Sequence, residues 1–342
     1  MHLVTGGAGF LGEEIISKLL SQGEKVRSLD LNTPKIKHPD LEIINGDIRD
    51  REIVSKATKN VEIVHHNVAQ VPIAKNKEKF WSVNEKGTEI ILESSYKSKI
   101  RHFVYTSSSA VYGVPERNPV TEKSSKIPLE DYGMAKLGGE ILCEKFRRKG
   151  LSCSIIRPRT ILGTGRLGIF QILFEWIFNG KNIPVIDQGK NTYQFIHSSD
   201  LADACITAGR EMSNDDFNIG AKDFGTMKEA LQNLIDHAKS DSKIKSIPSK
   251  ITKIAMDVTS KIGLSPLGKY HALMYGKDMY FDTTKAEEIL SFNPKFSNNE
   301  MFNNSYDWYC SKRRKIISGE LSGSKHQSKL KQGILRIVPY LI

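Results

Sequence analysis

Tyr132 and Lys136 stand four residues apart in Tyr132-Gly133-Met134-Ala135-Lys136, at the start of a segment, 130–149, that reads as one long helix closed by Gly150. Positions i and i+4 share a helical face, so a phenol and an ammonium can converge there. A free tyrosine has a pKa of about 10, too high for a base near neutrality. A neighbouring cation favours the phenolate. Such a phenolate can take the proton of a hydroxyl while hydride leaves the carbon that bears it. The spacing alone also suits an ordinary surface pair. A second feature narrows the choice: Thr106-Ser107-Ser108-Ser109-Ala110-Val111-Tyr112-Gly113 follows a strand-like run, His102–Thr106. A serine hydroxyl at the carboxyl end of a strand lies where open sheets bind ligands, and it can hydrogen-bond the reacting oxygen.

Hydride chemistry needs an acceptor, and the N-terminus supplies a place for one. A short apolar strand, His2–Thr5, runs into Gly6-Gly7-Ala8-Gly9-Phe10-Leu11-Gly12. Ile15, Ile16, Leu19 and Leu20 then recur at helical spacing up to Gly23. In a strand–turn–helix unit, Gly6 permits the tight turn, Gly9 lets the backbone approach a pyrophosphate, and Gly12 lets helix and strand pack closely. The pyrophosphate sits on the helix N-terminus, whose amides favour anions. Asp30 closes the second strand, 25–30, 18 residues after Gly12. A carboxylate there accepts hydrogen bonds from ribose hydroxyls and repels a 2′-phosphate, so NAD is expected rather than NADP. Asp47 and Ile48 end the next strand-like segment. Asp47 reads equally as an adenine contact or as a solvated loop residue.

These residues need a scaffold, and the rest of the chain describes it. Strand-like runs at 41–44, 61–65, 102–106 and 152–157 alternate with helical segments, which predicts an α/β fold: a Rossmann-type doubly wound parallel sheet with a smaller C-terminal substrate lobe. We divide the chain into an NAD-binding domain over 1–157, a substrate-binding lobe over 158–311 and a basic, partly apolar tail over 312–342. Segments 199–209 and 216–220 are expected to return to the first sheet. Of the 342 residues, 39% are hydrophobic and 26% charged, an ordinary globular balance. The net charge of +11 lies mostly in the tail. With Lys312-Arg313-Arg314-Lys315 and apolar residues from Leu330 to Ile342, the tail reads either as a weak membrane-surface contact or as a docked terminal helix. It lacks interleaved aromatics, which argues against a nucleic-acid role. No apolar run is long enough to span a membrane. With a strand at the very start of this sequence, no signal peptide is expected. Cys143, Cys153, Cys205 and Cys310 are scattered, so no disulfide framework or metal site is expected, and a reducing cytoplasm is the expected location, with any membrane contact peripheral.

Taken together, the motifs resemble the extended short-chain dehydrogenase/reductase superfamily, in its NAD-dependent epimerase/dehydratase branch, with 3β-hydroxysteroid dehydrogenase-like features. The resemblance rests on T-G-G-A-G-F-L-G (5–12), G-D-I (46–48), V-N-E-K-G-T (83–88), Y-T-S-S-S-A-V-Y-G (105–113), Y-G-M-A-K (132–136), I-R-P-R-T-I-L-G (156–163) and F-D-T-T-K-A (281–286), in the family's order over about residues 1–310. It implies an enzyme with catalytic Ser108, Tyr132 and Lys136. It implies cofactor contacts from Phe10, Leu11, Asp30, Asp47, Ile48, Ala69, Gln70 and Asn84, with Asn84 near Lys136. It further implies seven parallel strands, a small-molecule substrate and a homodimer through a two-helix contact. His66, His197 and Asp200 match structural positions of the family.

The chain departs from the nucleotide-sugar members where they hold a diphosphate. Thr160 stands in place of an Asn, Tyr193 in place of an Arg, and 271–275 holds no Arg where another is expected. Losing all three removes the charge-assisted forks a diphosphate needs. Arg159, Arg166 and Lys190 are the candidates to replace them. Two apolar segments, 167–178 and 247–267, read either as the walls of a pocket for a bulky apolar substrate or as ordinary core. Two functions therefore stand nearly level: an oxidoreductase acting on a secondary alcohol or ketone of an apolar scaffold, and a nucleotide-sugar epimerase or dehydratase resembling UDP-glucose 4-epimerase. A non-enzymatic NAD-binding protein fits less well, because the Ser-Tyr-Lys set is complete.

Overall fold

The structure, a computed structural model, describes residues 1–70, 77–165, 167–168, 170–249 and 276–321. Six strands come first: β1 (His2–Thr5), β2 (Val26–Asp30), β3 (Leu41–Asn45), β4 (Ile63–His66), β5 (His102–Thr106) and β6 (Cys153–Pro158). The chain then leaves the sheet for β7 (Thr160–Leu162), β8 (Ile183–Ile186) and β9 (Phe195–His197), and returns with β10 (Asp216–Ile219). Among the described residues the main sheet has seven strands, ordered β3-β2-β1-β4-β5-β6-β10, every pair parallel. The expected return of 216–220 is this last strand, whose Asp216 pairs with Ile155. Parallel strands need crossovers on both faces, which explains why β1, β4, β5 and β6 are buried along their whole length.

Helices cover the two faces. On one, α1 (Phe10–Ser21) packs against α7 (Ser198–Glu211), joining Ile15, Ile16, Leu19, Leu201 and Cys205 to Phe217 of β10. On the other lie α2 (Arg51–Thr58), α4 (Gly87–Lys97) and α5 (Asp131–Arg147), whose Val54, Ile90, Ile91, Cys143 and Phe146 meet Leu3, Val64, Phe103 and Ile155. A short α3 (Lys77–Trp81) runs through a π-helical turn, Ser82–Lys86, into α4. Each apolar side chain so buried stabilises the fold by about 1.5–3 kcal/mol relative to exposure.

The second lobe has its own core. It uses α6 (Phe170–Phe178), α8 (Met227–His237) and β11 (Ile244–Ile247), which pairs with β8, then α9 (Thr284–Leu290) and α10 (Asn298–Ile317). Phe170, Leu173, Phe174, Trp176 and Ile177 pack into this core with Phe195, Leu231, Leu234, Phe302 and Tyr306. Of the two readings of 167–178, the α6 side chains thus follow the packing one. Segment 247–267 lies largely outside the described residues. The lobe is braced to the sheet domain by Asp200, whose carboxylate accepts the Lys295 and Phe296 amides at 3.0 and 3.2 Å, and by His197, stacked 3.9 Å from the Phe296 ring. All four cysteines are unbridged.

Candidate active site

Strand order reverses beside β1, and open sheets bind ligands in the crevice at the carboxyl ends there. The glycine turn opens into this crevice. Gly6 takes a φ of +70°, which glycine adopts without the steric cost a Cβ would bring. A Cβ on Gly12 would lie 2.1 Å from the Gly6 carbonyl oxygen, so nothing larger than hydrogen fits. Gly9 begins α1, no side chain caps the helix, and Phe10 and Leu11 are buried in its first turn. An anion can therefore take the first-turn amides. The Asp30 carboxylate reaches across from β2 to accept the Ala8 amide at 3.1 Å and the Asn32 amide at 2.9 Å. This cradle fits a dinucleotide: a tight turn, an uncapped helix start and a carboxylate beside them.

The next strands extend it. Asp47 forms a two-pronged ion pair with Arg49, at 2.9 Å to Nε and 2.5 Å to Nη2, while Arg49 Nη1 reaches Ser82 at 3.0 Å. That fork holds the guanidinium pKa above its usual value and makes Asp47 more than a solvated loop residue. Ile48 is buried next to it. Beyond β4, Ala69 and Gln70 are half-buried, and the Gln70 backbone is clamped by Asn84. Its Oδ1 accepts the Gln70 amide at 2.7 Å and its Nδ2 donates to the Gln70 carbonyl at 3.1 Å. Asn84 lies on the π-helical turn against which α5 packs. Its side chain is committed to Gln70, whereas that of Lys136 goes elsewhere.

Lys136 is 3% exposed and donates to the Thr106 carbonyl at 2.7 Å, with its ammonium 5.1 Å from the Tyr105 ring. Burial disfavours its charge and brings its pKa down to about 8. Tyr132 lies half-buried one turn earlier on α5. The three serines divide their work. Ser107 is buried and donates to Glu140 at 2.6 Å. Ser109 is buried in a 3-10 turn, Ser109–Tyr112. Ser108 is half-buried and caps that turn by accepting the Ala110 amide at 3.2 Å, so its own proton is free to be donated.

An ionic seam fixes α5 in place. Arg157 on β6, fully buried, meets the Glu140 carboxylate through Nε at 2.8 Å and Nη2 at 2.9 Å, and also pairs with Asp216. Lys126 adds a second cation at 2.7 Å from Glu140. These partners hold the Glu140 pKa below the usual carboxylate range despite burial.

Residues 2–220 match the NAD dependent epimerase/dehydratase family. The chain belongs to that family. Its members are NAD-dependent enzymes, and this chain is one of them. It is 51% identical over 341 residues to the "Uncharacterized protein y4nG" of Sinorhizobium fredii, covering 99% of this chain and 86% of that one. It is 33% identical over 251 residues to a putative UDP-glucose 4-epimerase of Methanocaldococcus jannaschii, covering 69% and 82%. It is 30% identical over 200 residues to a 3 beta-hydroxysteroid dehydrogenase/Delta 5-->4-isomerase of Mycobacterium tuberculosis, covering 52% and 51%. The crystal structure of UDP-glucose 4-epimerase from Thermotoga maritima shares the fold, with a TM-score of 0.75 at 24% identity over 91% of this chain and 99% of that one.

The epimerase/dehydratase positions expected to grip a diphosphate look different here. The Thr160 hydroxyl and the Tyr193 phenol lie 3.0 Å apart and hydrogen-bond each other. Lys190 is exposed on the surface, and Arg166 and 271–275 lie outside the described residues. Arg159 is buried against the Tyr193 ring. His65 and His66, adjacent on β4, face opposite sides. His65 meets His2 at 3.2 Å, and His66 meets Thr5 at 2.7 Å and Thr88 at 3.1 Å. Two polar residues near the site escaped the sequence reading. Asn67 accepts the Thr106 hydroxyl at 2.6 Å, tying the end of β4 to that of β5. Glu130, the residue before α5, has one buried oxygen without a partner, and burial beside Asp131 pushes its pKa up to about 7. A carboxylate two residues before Tyr132 was the only available signal. In the tail, Arg313 pairs with Glu175 at 2.7 Å and stacks 4.1 Å from the Phe178 ring, so part of the basic cluster is used internally. Residues 322–342 lie outside the described residues. No helix among the described residues is long and apolar enough to cross a membrane.

Proposed function

We propose that this enzyme moves a hydride between NAD and a secondary alcohol or ketone carbon, with Ser108, Tyr132 and Lys136 as its acid–base set, and that its substrate is a bulky apolar scaffold without a diphosphate. When bound, NAD supplies the hydride acceptor or donor. Gly6, Gly9, Gly12 and the uncapped start of α1 would hold its pyrophosphate, and Asp30 its adenosine ribose. The backbone at Ala69 and at Gln70, the latter clamped by Asn84, would line the path towards the reacting end, with Asp47 and Ile48 on the adenine side. Tyr132 takes the hydroxyl proton in oxidation and returns it in reduction. Lys136, charged below about pH 8, lowers the cost of the phenolate. Ser108 donates to the same substrate oxygen and keeps it pointed at the phenol.

The observation that carries the substrate class is the Thr160–Tyr193 hydrogen bond at 3.0 Å. Two side chains that would otherwise be free to meet a diphosphate satisfy each other instead, and neither carries charge. A diphosphate bears about two charges, and enclosing them without cations is costly. The half-buried Leu137 and Tyr193, packed on Val111, Tyr112, Val120, Met279 and Phe281, offer apolar surface instead.

The second reading, a nucleotide-sugar epimerase, is favoured by the relative from Methanocaldococcus jannaschii, which spans more of this chain than the hydroxysteroid enzyme does. Calorimetry on NAD-loaded protein separates the two. We expect hydroxysteroids or long-chain hydroxy-ketones to bind and UDP or UDP-glucose to bind poorly. Micromolar binding of a nucleotide sugar, with silence from the apolar set, would make the epimerase reading the correct one.

A further inference from the structure

The chemistry proposed above leaves one buried charge unused. Arg159 follows Pro158 at the carboxyl end of β6. Thr106 of β5 pairs with Ile156 of β6, so Ser108 and Arg159 leave the same sheet edge on neighbouring strands, two and three residues beyond that pair. Arg159 is 1% exposed. Its Nε donates to the Gln194 carbonyl at 3.2 Å, which sets the plane of the guanidinium. The group sits 4.6 Å from the Tyr193 ring centre and 5.5 Å from that of Phe281. Nη1 and Nη2 are both buried, and neither has a hydrogen-bond partner. The contrast with Arg157 is direct: that arginine, equally buried and two residues earlier, is paired with Glu140, Asp216 and Tyr112. No carboxylate of the described residues pairs with Arg159.

A buried cation with two idle nitrogens is costly, so such an arrangement calls for an anion. A guanidinium held by its Nε and flanked by rings has lost much of its rotamer freedom, and its free fork matches two coplanar oxygens. One guanidinium balances one charge. A carboxylate satisfies that count, whereas a diphosphate exceeds it. Tyr193, half-exposed and stacked on the guanidinium, is the layer that a ligand must move, and Thr160 is the partner it must leave.

We propose that Arg159 is a specificity residue that grips a carboxylate on the substrate, so that the substrate is a hydroxy or keto acid. This rests on the oxidoreductase reading above. The test uses full-length, NAD-loaded protein and two matched pairs: 3-hydroxydodecanoate against its methyl ester, and UDP-glucuronate against UDP-glucose. Wild type is compared with Arg159→Met and Arg159→Lys, and sodium sulfate and chloride serve as free-ion probes. Removing an unpaired buried cation for an apolar chain of similar length should leave folding and NAD affinity intact. In wild type the acid should bind about tenfold or more tightly than its ester, the scale of one charge-assisted fork. Arg159→Met should abolish that preference without weakening the ester, and Arg159→Lys should restore part of it. If only the nucleotide pair binds, and UDP-glucuronate wins through Arg159, the carboxylate inference stands and the apolar substrate falls. Equal binding of acid and uncharged partner in wild type, a preference that survives Arg159→Met, silence from both acids, or equal protection by sulfate or chloride (an adventitious ion only) would each overturn it.

Discussion

At the scale of residues, the site separates groups that hold shape from groups left to act. Ser107 gives its proton to Glu140, while Ser108 accepts a backbone amide and keeps its own. Lys136 is anchored to the Thr106 carbonyl, so its ammonium is fixed in place before any ligand arrives. Tyr132→Phe removes only the hydroxyl that would carry the proton. Turnover should fall by about 10²–10⁴-fold with NAD affinity nearly unchanged. Lys136→Met should lower both, because the buried ammonium lies between the end of β5 and the proposed nicotinamide ribose. Stopped-flow NADH fluorescence and NAD titration of the two variants measure this directly, and a Tyr132→Phe protein with near-wild-type turnover would place the base elsewhere.

The elements are held in register by buried charge as much as by apolar packing. Helix α5 brings Tyr132 and Lys136 to the sheet edge, and Glu140 ties that helix to β6 through Arg157 and to β10 through the shared Asp216. Removing one partner of a buried pair strands the other charge and costs about 3–5 kcal/mol. Glu140→Gln should therefore lower the unfolding free energy by roughly that amount. The neighbouring Glu144, 46% exposed and paired instead with Arg147, is the control. Glu144→Gln should cost under about 1 kcal/mol, as surface pairs do. Urea titrations of the two variants should differ clearly; equal midpoints would mean that the seam adds little.

For the molecule as a whole, the histidines set the response to acid. Burial lowers the pKa of His2, His102 and His197 to about 4 and of His66 to about 3, and it holds His65 well below its usual value. In the unfolded chain each titrates near 6.5. Between those values the unfolded chain takes up protons that the native one refuses, so stability is complete above about pH 6.5 and falls towards pH 4. Glu130 works in the opposite direction, since a carboxyl raised to about 7 favours the fold as pH drops from 7 towards its unfolded value. Five histidines outweigh it. The urea midpoint should therefore fall from pH 7.5 to pH 5. A midpoint that stays level or rises would refute this.

The sequence alone determined whatever local periodicity and short motifs encode. Gly6, Gly9 and Gly12 between an apolar strand and an amphipathic helix permit one turn geometry, since a Cβ on Gly12 meets a backbone oxygen. Alternating strand and helix patterns dictate a parallel sheet, and i to i+4 spacing brings Tyr132 and Lys136 to one face. Long-range partners were beyond its reach, because nothing in the local pattern states which side chains meet across the sheet. Only the tertiary structure paired Asn84 with the Gln70 backbone, sent the apolar side chains of α6 into the lobe core, and assigned Ser107 and Ser108 to different tasks. It also separated two arginines that look alike in Arg157-Pro158-Arg159. Strand pairing places Arg157 beside Glu140 and Asp216, while the chain's exit from the sheet carries Arg159 under Tyr193, where no carboxylate of the described residues pairs with it.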